Sequence, residues 1–223
     1  MPFYNQLLTQ TQAERETFRK IPTLQAGVNG QLSIATYVQF LTQAYHHVKH
    51  TVPLLMAFGS RLPGSMEWMR TATISYIEEE TGHHEWILND IRACGGDADA
   101  VRNGQPNMAT EIMVAYAYDT IARRNPLGFL GMVHVLEGSS KELASEAARQ
   151  LGRSLQLPDS AFTYLITHGE LDISHDEMYQ NLVNKLTSDT DKEAIIHATK
   201  LFFHLYGNIF RSLEQPLEQQ TGE

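Results

Sequence analysis

Cysteine is almost absent from this chain: Cys94 is the only one in 223 residues, so no disulfide can close within it. That usage suits a reducing compartment. Long apolar runs are missing as well. No stretch approaches the ~18 consecutive apolar residues of a membrane span. The opening residues, MPFYNQLLTQ, lack the charged-then-apolar order of a signal peptide. Basic residues are few, with 17 Lys and Arg against 26 Asp and Glu and a net charge of −9. No basic cluster offers a surface to a nucleic acid. Gly-rich phosphate loops, Gly-x-Ser-x-Gly and Cys-x-x-Cys are all missing, which argues against nucleotide transfer, serine hydrolysis and structural zinc. These absences together predict a soluble cytoplasmic protein with no membrane and no nucleic-acid partner.

What is present is helical periodicity, with no convincing alternating strand. The pattern predicts an all-α bundle of about seven long helices in one domain spanning residues 1–223. The first runs from Phe3 to Lys20. The second starts at an N-cap, Ser33, and reaches Leu62, with Pro53 inside it to kink or split it. The third runs from Ser65 to Cys94 and is closed by Gly95-Gly96. A polar loop leads to a fourth, Ala109 to Arg124. Asn125 followed by Pro126 reads as an N-cap and first helical position for a fifth, ending near Leu155. The sixth spans Asp159 to Thr187, and Thr190 with Glu193 reads as a capping box for the seventh, which ends near Gln215.

Three of these helices carry an unusual inventory of carboxylates and imidazoles. Glu80 and His83 stand in EEETGHHEW, an i,i+3 pair expected on one helix face, with His84 as the alternative partner at i,i+4. Glu137 is the one acid in the otherwise apolar run GFLGMVHVLEGSS. His168, Asp172 and His175 in HGELDISHDEM fall at i, i+4 and i+7, again one stripe. Charged groups on core-facing stripes are costly unless paired or ligating, and six O and N donors make the ligand set that a pair of iron or manganese ions takes. His134, one turn before Glu137, reads as a core histidine. His46, His47 and His50 read as the polar lining of a pocket, with a haem or metal pair from His46 and His50 as the competing reading. Cys94, at a helix end with no base beside it, reads as a spectator. Tyr76, Trp86, Phe129, Tyr164 and Tyr179 flank the candidate ligands and are expected in the core or around a pocket.

The helix order and the segments YHHVKHTVPLL, EEETGHHEW and HGELDISHDEM resemble the haem-oxygenase-like, TenA/PQQ-synthase-like superfamily from about Phe3 to Leu213. Within it the chain most resembles the di-iron oxidase and oxygenase branch that includes the chlamydial protein associating with death domains. The resemblance implies a seven-helix haem-oxygenase-like bundle and two iron ions, with manganese as the substitute. Its ligand pattern falls on Glu80, His83, Glu137, His168, Asp172 and His175, with Glu137 bridging or nearly bridging the ions. It further implies O2 and a small organic molecule as reactants, and a homodimer. TenA thiaminases need a cysteine inside the pocket, and the position of Cys94 argues against that activity. No histidine precedes His46, which disfavours an axial haem ligand. The alternative is a TenA-like small-molecule-binding or thiamine-related protein without a working metal centre.

Overall fold

The computed structural model describes the backbone of residues 1–213 and the side chains of all of these except 170–174. Among the described residues there are twelve α-helices, three short 3-10 turns and no strand. The helices are α1 (Phe3–Gln10), α2 (Gln12–Arg19), α3 (Pro22–Val28), α4 (Ile34–Val48), α5 (Thr51–Arg61) and α6 (Glu67–Glu80). They continue with α7 (His83–Ala93), α8 (Ala98–Asn103), α9 (Met108–Arg123), α10 (Phe129–Leu155), α11 (Thr163–Val183) and α12 (Asp189–Arg211). The all-α class is as the periodicity predicts, but the helices are more numerous and shorter than expected.

The extra helices arise in two ways. The stretches expected as loops contain the short elements α3 and α8. Three of the expected long helices also break, each for a local reason. The first divides at Thr11, whose hydroxyl donates to the Leu7 carbonyl at 2.8 Å. The second divides at Lys49-His50 rather than at Pro53. A proline ring crowds the carbonyl four residues back and offers no N–H, so the break falls at Lys49 and Pro53 sits in the first turn of α5. The third divides at Thr81-Gly82, where Gly82 takes φ +95°. That left-handed conformation ends α6 and is open to glycine without strain. Ser33 caps α4 as expected, accepting from the Thr36 N–H at 3.1 Å. The last helix, α12, is capped by Ser188, which accepts from the Asp191 N–H at 3.2 Å, and not by a Thr190–Glu193 box. The earlier cap wins because a hydroxyl three residues before a free N–H completes the first turn.

The spine is α10, which packs along α11, α12 and α3. Small residues let the backbones close. A Cβ on Gly131 would stand 2.6 Å from the Thr199 nitrogen on α12, and one on Gly169 would run into the Ser145 hydroxyl and lie 3.2 Å from its backbone nitrogen on α10. The second approach draws α11 against α10, and so brings the stripe holding His168 and His175 toward Glu137. One apolar cluster, with Phe18, Phe58, Phe129 and Phe202 buried in it, fills the bundle on one side. A second, around Tyr37, Leu88, Leu151 and Phe162, joins α4, α7, α10 and α11.

Candidate metal centre

The break in the third predicted helix shapes the site. Glu80 is the last residue of α6 and His83 the first of α7. They do not share one face of one helix. The Thr81-Gly82 turn re-aims the chain, and the two side chains still meet, with Glu80 Oε2 3.2 Å from His83 Nδ1. Both are buried, at 6% and 3% exposure. His83 Nδ1 makes no hydrogen bond among the described residues despite being buried. Its ring stacks on Trp86 with centroids 4.0 Å apart. His84 points elsewhere: its side chain is about a third exposed, and Nε2 lies 3.4 Å from Glu85.

His168 reaches the same place from α11. Its ring stands edge-on to His83, centroids 4.9 Å apart. Its Nδ1 is 3.1 Å from the Tyr164 carbonyl one turn earlier. A carbonyl can only accept, so Nδ1 carries the proton and Nε2 keeps its lone pair. One ligand atom from each of Glu80, His83 and His168 lies within 4.8 Å of the others. The start of α11 is held from outside. Asp90 on α7, with no exposed surface, accepts from the Tyr164 N–H at 2.8 Å and so acts as a cap supplied by a neighbouring helix. Burial pushes the Asp90 carboxyl up to about 6, against the opposing pull of hydrogen bonds from Tyr164 and Thr163.

Glu137 and His175 form an adjoining group. His175, 2% exposed, has Nδ1 3.8 Å from Glu137 Oε1 and Nε2 2.7 Å from Glu79 Oε2. Glu79 was missed by sequence reasoning. It stands in the run Glu78-Glu79-Glu80, where nothing in composition separates a solvent-facing acid from one that orients a histidine. A carboxylate accepting from Nε2–H fixes the tautomer and turns Nδ1 toward Glu137. Glu137 lines a cavity shared with Glu80 and His168 and also the smaller void that touches His175. It therefore stands between the two groups. Asp172 falls outside the described side chains.

The shared cavity holds about 650 Å³ of empty space, its mouth included, and most of its remaining wall is apolar or aromatic, with Leu54, Tyr76, Phe129, Met132 and Tyr164 among it. Of the other flanking aromatics, Trp86 stacks on His83 and Tyr179 lines the void beside Glu137 and His175. His47 forms part of the cavity wall, 2% exposed, and its Nδ1 has no hydrogen-bond partner among the described residues. Burial pushes its imidazole down to about 3, so the ring is neutral at ordinary pH. His134 sits apart, buried between Tyr4, Tyr179 and Phe203, in keeping with a core histidine. Cys94 is half-buried, and burial raises its thiol to about 11, far from a nucleophile's range.

Comparison with known proteins adds a family and a fold. A family model described as "iron-containing redox enzyme" matches residues 38–207. No curated protein matches the sequence. Among solved structures, a domain of unknown function with a haem-oxygenase-like fold from Shewanella denitrificans superposes with a TM-score of 0.83 at 21% identity, covering 96% of this chain and 92% of that one. A TenA homologue from Pseudomonas syringae gives 0.80 at 12% identity, covering 94% and 91%. Haem oxygenase-1 from the cyanobacterium Synechocystis, in complex with haem, gives 0.73 at 12% identity, covering 96% and 93%. The bundle thus has the haem-oxygenase-like fold shared with TenA homologues.

Proposed function

Because this chain belongs to the family of iron-containing redox enzymes, we propose that it binds iron at the Glu80–His83–His168 group and oxidises a small organic molecule at the expense of O2. A second ion would sit at Glu137 and His175, with Glu137 facing both positions and Asp172 completing the set implied by the α11 stripe. The observation that carries the reading is the buried Glu80–His83 contact: a carboxylate and an imidazole nitrogen 3.2 Å apart with no hydrogen bond at the nitrogen. A buried imidazole nitrogen without a hydrogen bond is costly, and a cation between it and the carboxylate removes that cost. Two imidazoles with one carboxylate suit iron or manganese better than magnesium or calcium. When bound, iron supplies the capacity to bind and reduce O2.

The chain's own residues do the rest. Tyr164 holds the proton of His168 on Nδ1, which presents Nε2 to the centre. Glu79 does the same for His175 through Nε2 and presents Nδ1. The carboxylates of Glu80 and Glu137 offset the charge of the centre. The apolar walls of the cavity limit the water that reaches it, which strengthens each of these electrostatic contacts. Asp90 fixes the start of α11 and, through it, the direction in which His168 points.

The test is a thermal melt of metal-free protein with and without Fe(II) or Mn(II), alongside measured metal per chain. A ligand that binds only the native state raises stability by about 2.7 kcal/mol at a hundred times its Kd, roughly 5–10 °C for a chain of this size. EDTA should reverse the gain. Glu137→Gln removes one negative charge and keeps the shape, so the metal-free protein should be at least as stable while most of the metal-induced gain disappears. Equal gains in both proteins would remove Glu137 from the centre. No metal uptake by the wild type would favour the alternative, a TenA-like binding protein without a working centre. Anaerobically loaded protein should consume O2 on exposure to it once a suitable substrate is present.

A further inference from the structure

On α10, Val133, Glu137 and Ser140 line the cavity of the candidate centre. One residue further on, His134, Gly138 and Lys141 repeat the same i, i+4, i+7 spacing and line a different pocket, bounded on its other side by α1 and α2. The two spaces share no lining residue. The second pocket is a cavity of about 50 Å³. A single water needs about 10–15 Å³, so there is room for a ligand of a few heavy atoms. The walls carry three cations, Arg15, Arg19 and Lys141, and two carboxylates, Glu142 and Asp176. Arg19 takes up Glu142. Asp176 accepts from Lys141 at 2.6 Å, from the Tyr4 hydroxyl at 2.8 Å and from Gln180 at 2.9 Å. Arg15, half-buried, is left with no ion pair among the described residues. His134, 7% exposed, makes no hydrogen bond among the described residues, and neither ring nitrogen is sealed off. Burial pushes its imidazole down to about 4, with the Arg15 charge adding to the effect and Asp176 opposing it. The ring is therefore neutral, with one N–H to donate. Gly138 stands between these groups. Its φ is not positive, and a Cβ there would meet nothing within 4 Å. Glycine inside a helix costs stability relative to alanine, and here it leaves the pocket open.

From this juxtaposition we infer that the pocket binds a short-chain monocarboxylate, its head held by Arg15 and His134 and its tail by the apolar wall of Leu8, Phe18, Leu143 and Phe203. Three cations against two paired carboxylates leave one positive charge, which a monoanion balances. A guanidinium meets a planar carboxylate through two parallel N–H donors, and the N–H of a neutral imidazole adds a third. An amine would face Arg15 with no counter-charge. An alcohol would leave the guanidinium without its ion pair. A phosphate dianion would bring a second negative charge beside Glu142 and Asp176. A bound carboxylate ties α2 to α10. It also sits behind His134, which stacks on Tyr179, and Tyr179 lines the void beside Glu137 and His175. The site is thus next to the candidate centre and outside it, and the inference does not depend on the iron-centre reading.

The experiment is a calorimetric titration of full-length, metal-stripped protein in buffer free of chelator and carboxylate. The probes are butyrate, 1-butanol and inorganic phosphate at matched ionic strength, and metal uptake is measured separately. Butyrate should bind at least about tenfold more tightly than 1-butanol or phosphate. Arg15→Gln should weaken butyrate by about tenfold or more. Gly138→Leu should fill the pocket and weaken it by about as much, while Gly138→Ala should melt at or above the wild-type temperature. Arg153→Gln, at an exposed arginine outside the pocket, should leave butyrate within about twofold. If Gly138→Leu does not fold, Ser139→Leu fills the space from the same helix. The inference is overturned if butyrate does not bind, if 1-butanol or phosphate binds as well, or if Arg15→Gln or a natively melting filled variant binds butyrate like the wild type. Because these titrations contain no metal, they can fail while iron uptake succeeds, and the reverse.

Discussion

Two histidine-rich regions of this protein meet the same problem and solve it differently. On α4 and just after it, His46 and His47 are buried and His50 is partly so, and among the described residues none of them is ion-paired with a carboxylate. Burial drives His46 down to about 4, with the Lys49 ammonium adding to the effect, and His47 to about 3. His50 is lowered for the same reason and shares a 3.1 Å contact with the Tyr118 hydroxyl. These rings stay neutral, and His47 serves as polar wall of the cavity. On α7 and α11, His83 and His175 are equally buried but lie 3.2 Å from Glu80 and 2.7 Å from Glu79, and His168 joins the first pair. The difference is not in the histidines. It lies in whether the packing of neighbouring helices delivers a carboxylate to them, which is what separates a solvating wall from a group that could hold a cation.

The sharpest way to break the comparison is to remove a donor from each region. Glu80→Ala or His168→Ala should weaken Fe(II) binding by about a hundredfold or more, about 2.7 kcal/mol. His46→Gln should leave it within about twofold. A chelator-competition titration measures both, and equal losses in the two regions would erase the distinction.

Next in size is the acid response of imidazoles that have no partner. Burial holds His134 down to about 4, as it does His46. A histidine with a lowered folded pKa binds fewer protons when native than when unfolded, so it stabilises fully above its unfolded value of about 6.5 and loses that contribution as pH falls toward 4. In EDTA, the melt should therefore drop between pH 7 and 4.5. His134→Phe should recover about 2 kcal/mol of that loss. Asp90 acts in the opposite sense. With its folded pKa raised to about 6, it costs stability as pH rises from about 4 to 6. Asp90→Asn should thus steepen the acid loss. A flat profile in the wild type would mean that the buried rings are not held neutral.

A smaller effect sharpens the role of Glu79. Glu79→Gln keeps the half-exposed side chain's size and removes the charge opposite His175. It should weaken metal binding by about tenfold, without lowering the melt of the metal-free protein. The smallest effect belongs to the surface. Glu85 pairs with Arg102 at 2.6 Å on the outside of α7, a carboxylate near the same histidine-rich turn but exposed to solvent. Arg102→Ala should leave both metal affinity and the melt essentially unchanged, within about 2 °C. A larger loss would show that charge on the outer face of α7 also supports the centre.

Much of this was readable along the chain, because it depends on local spacing. The all-α class, the Ser33 cap, the Gly95-Gly96 stop and the stripe of His168 and His175 all follow from helical period and capping chemistry, which operate within four residues or so. So does the isolation of Glu137 in an apolar run. Other features were decided only by tertiary structure. Gly82 breaks the helix between Glu80 and His83, yet the two side chains still meet, because packing and not a shared helix face aims them. Glu79 looks like its neighbours in an acidic run until α11 brings His175 against it. Asp90 reads as an ordinary polar residue until it turns out to cap a helix more than seventy residues away. Helical spacing is set by backbone hydrogen bonds that the sequence encodes residue by residue, whereas which charge meets which imidazole depends on how closely two helices pack, and that distance is set by small residues such as Gly169 and Ser145 lying far apart in sequence.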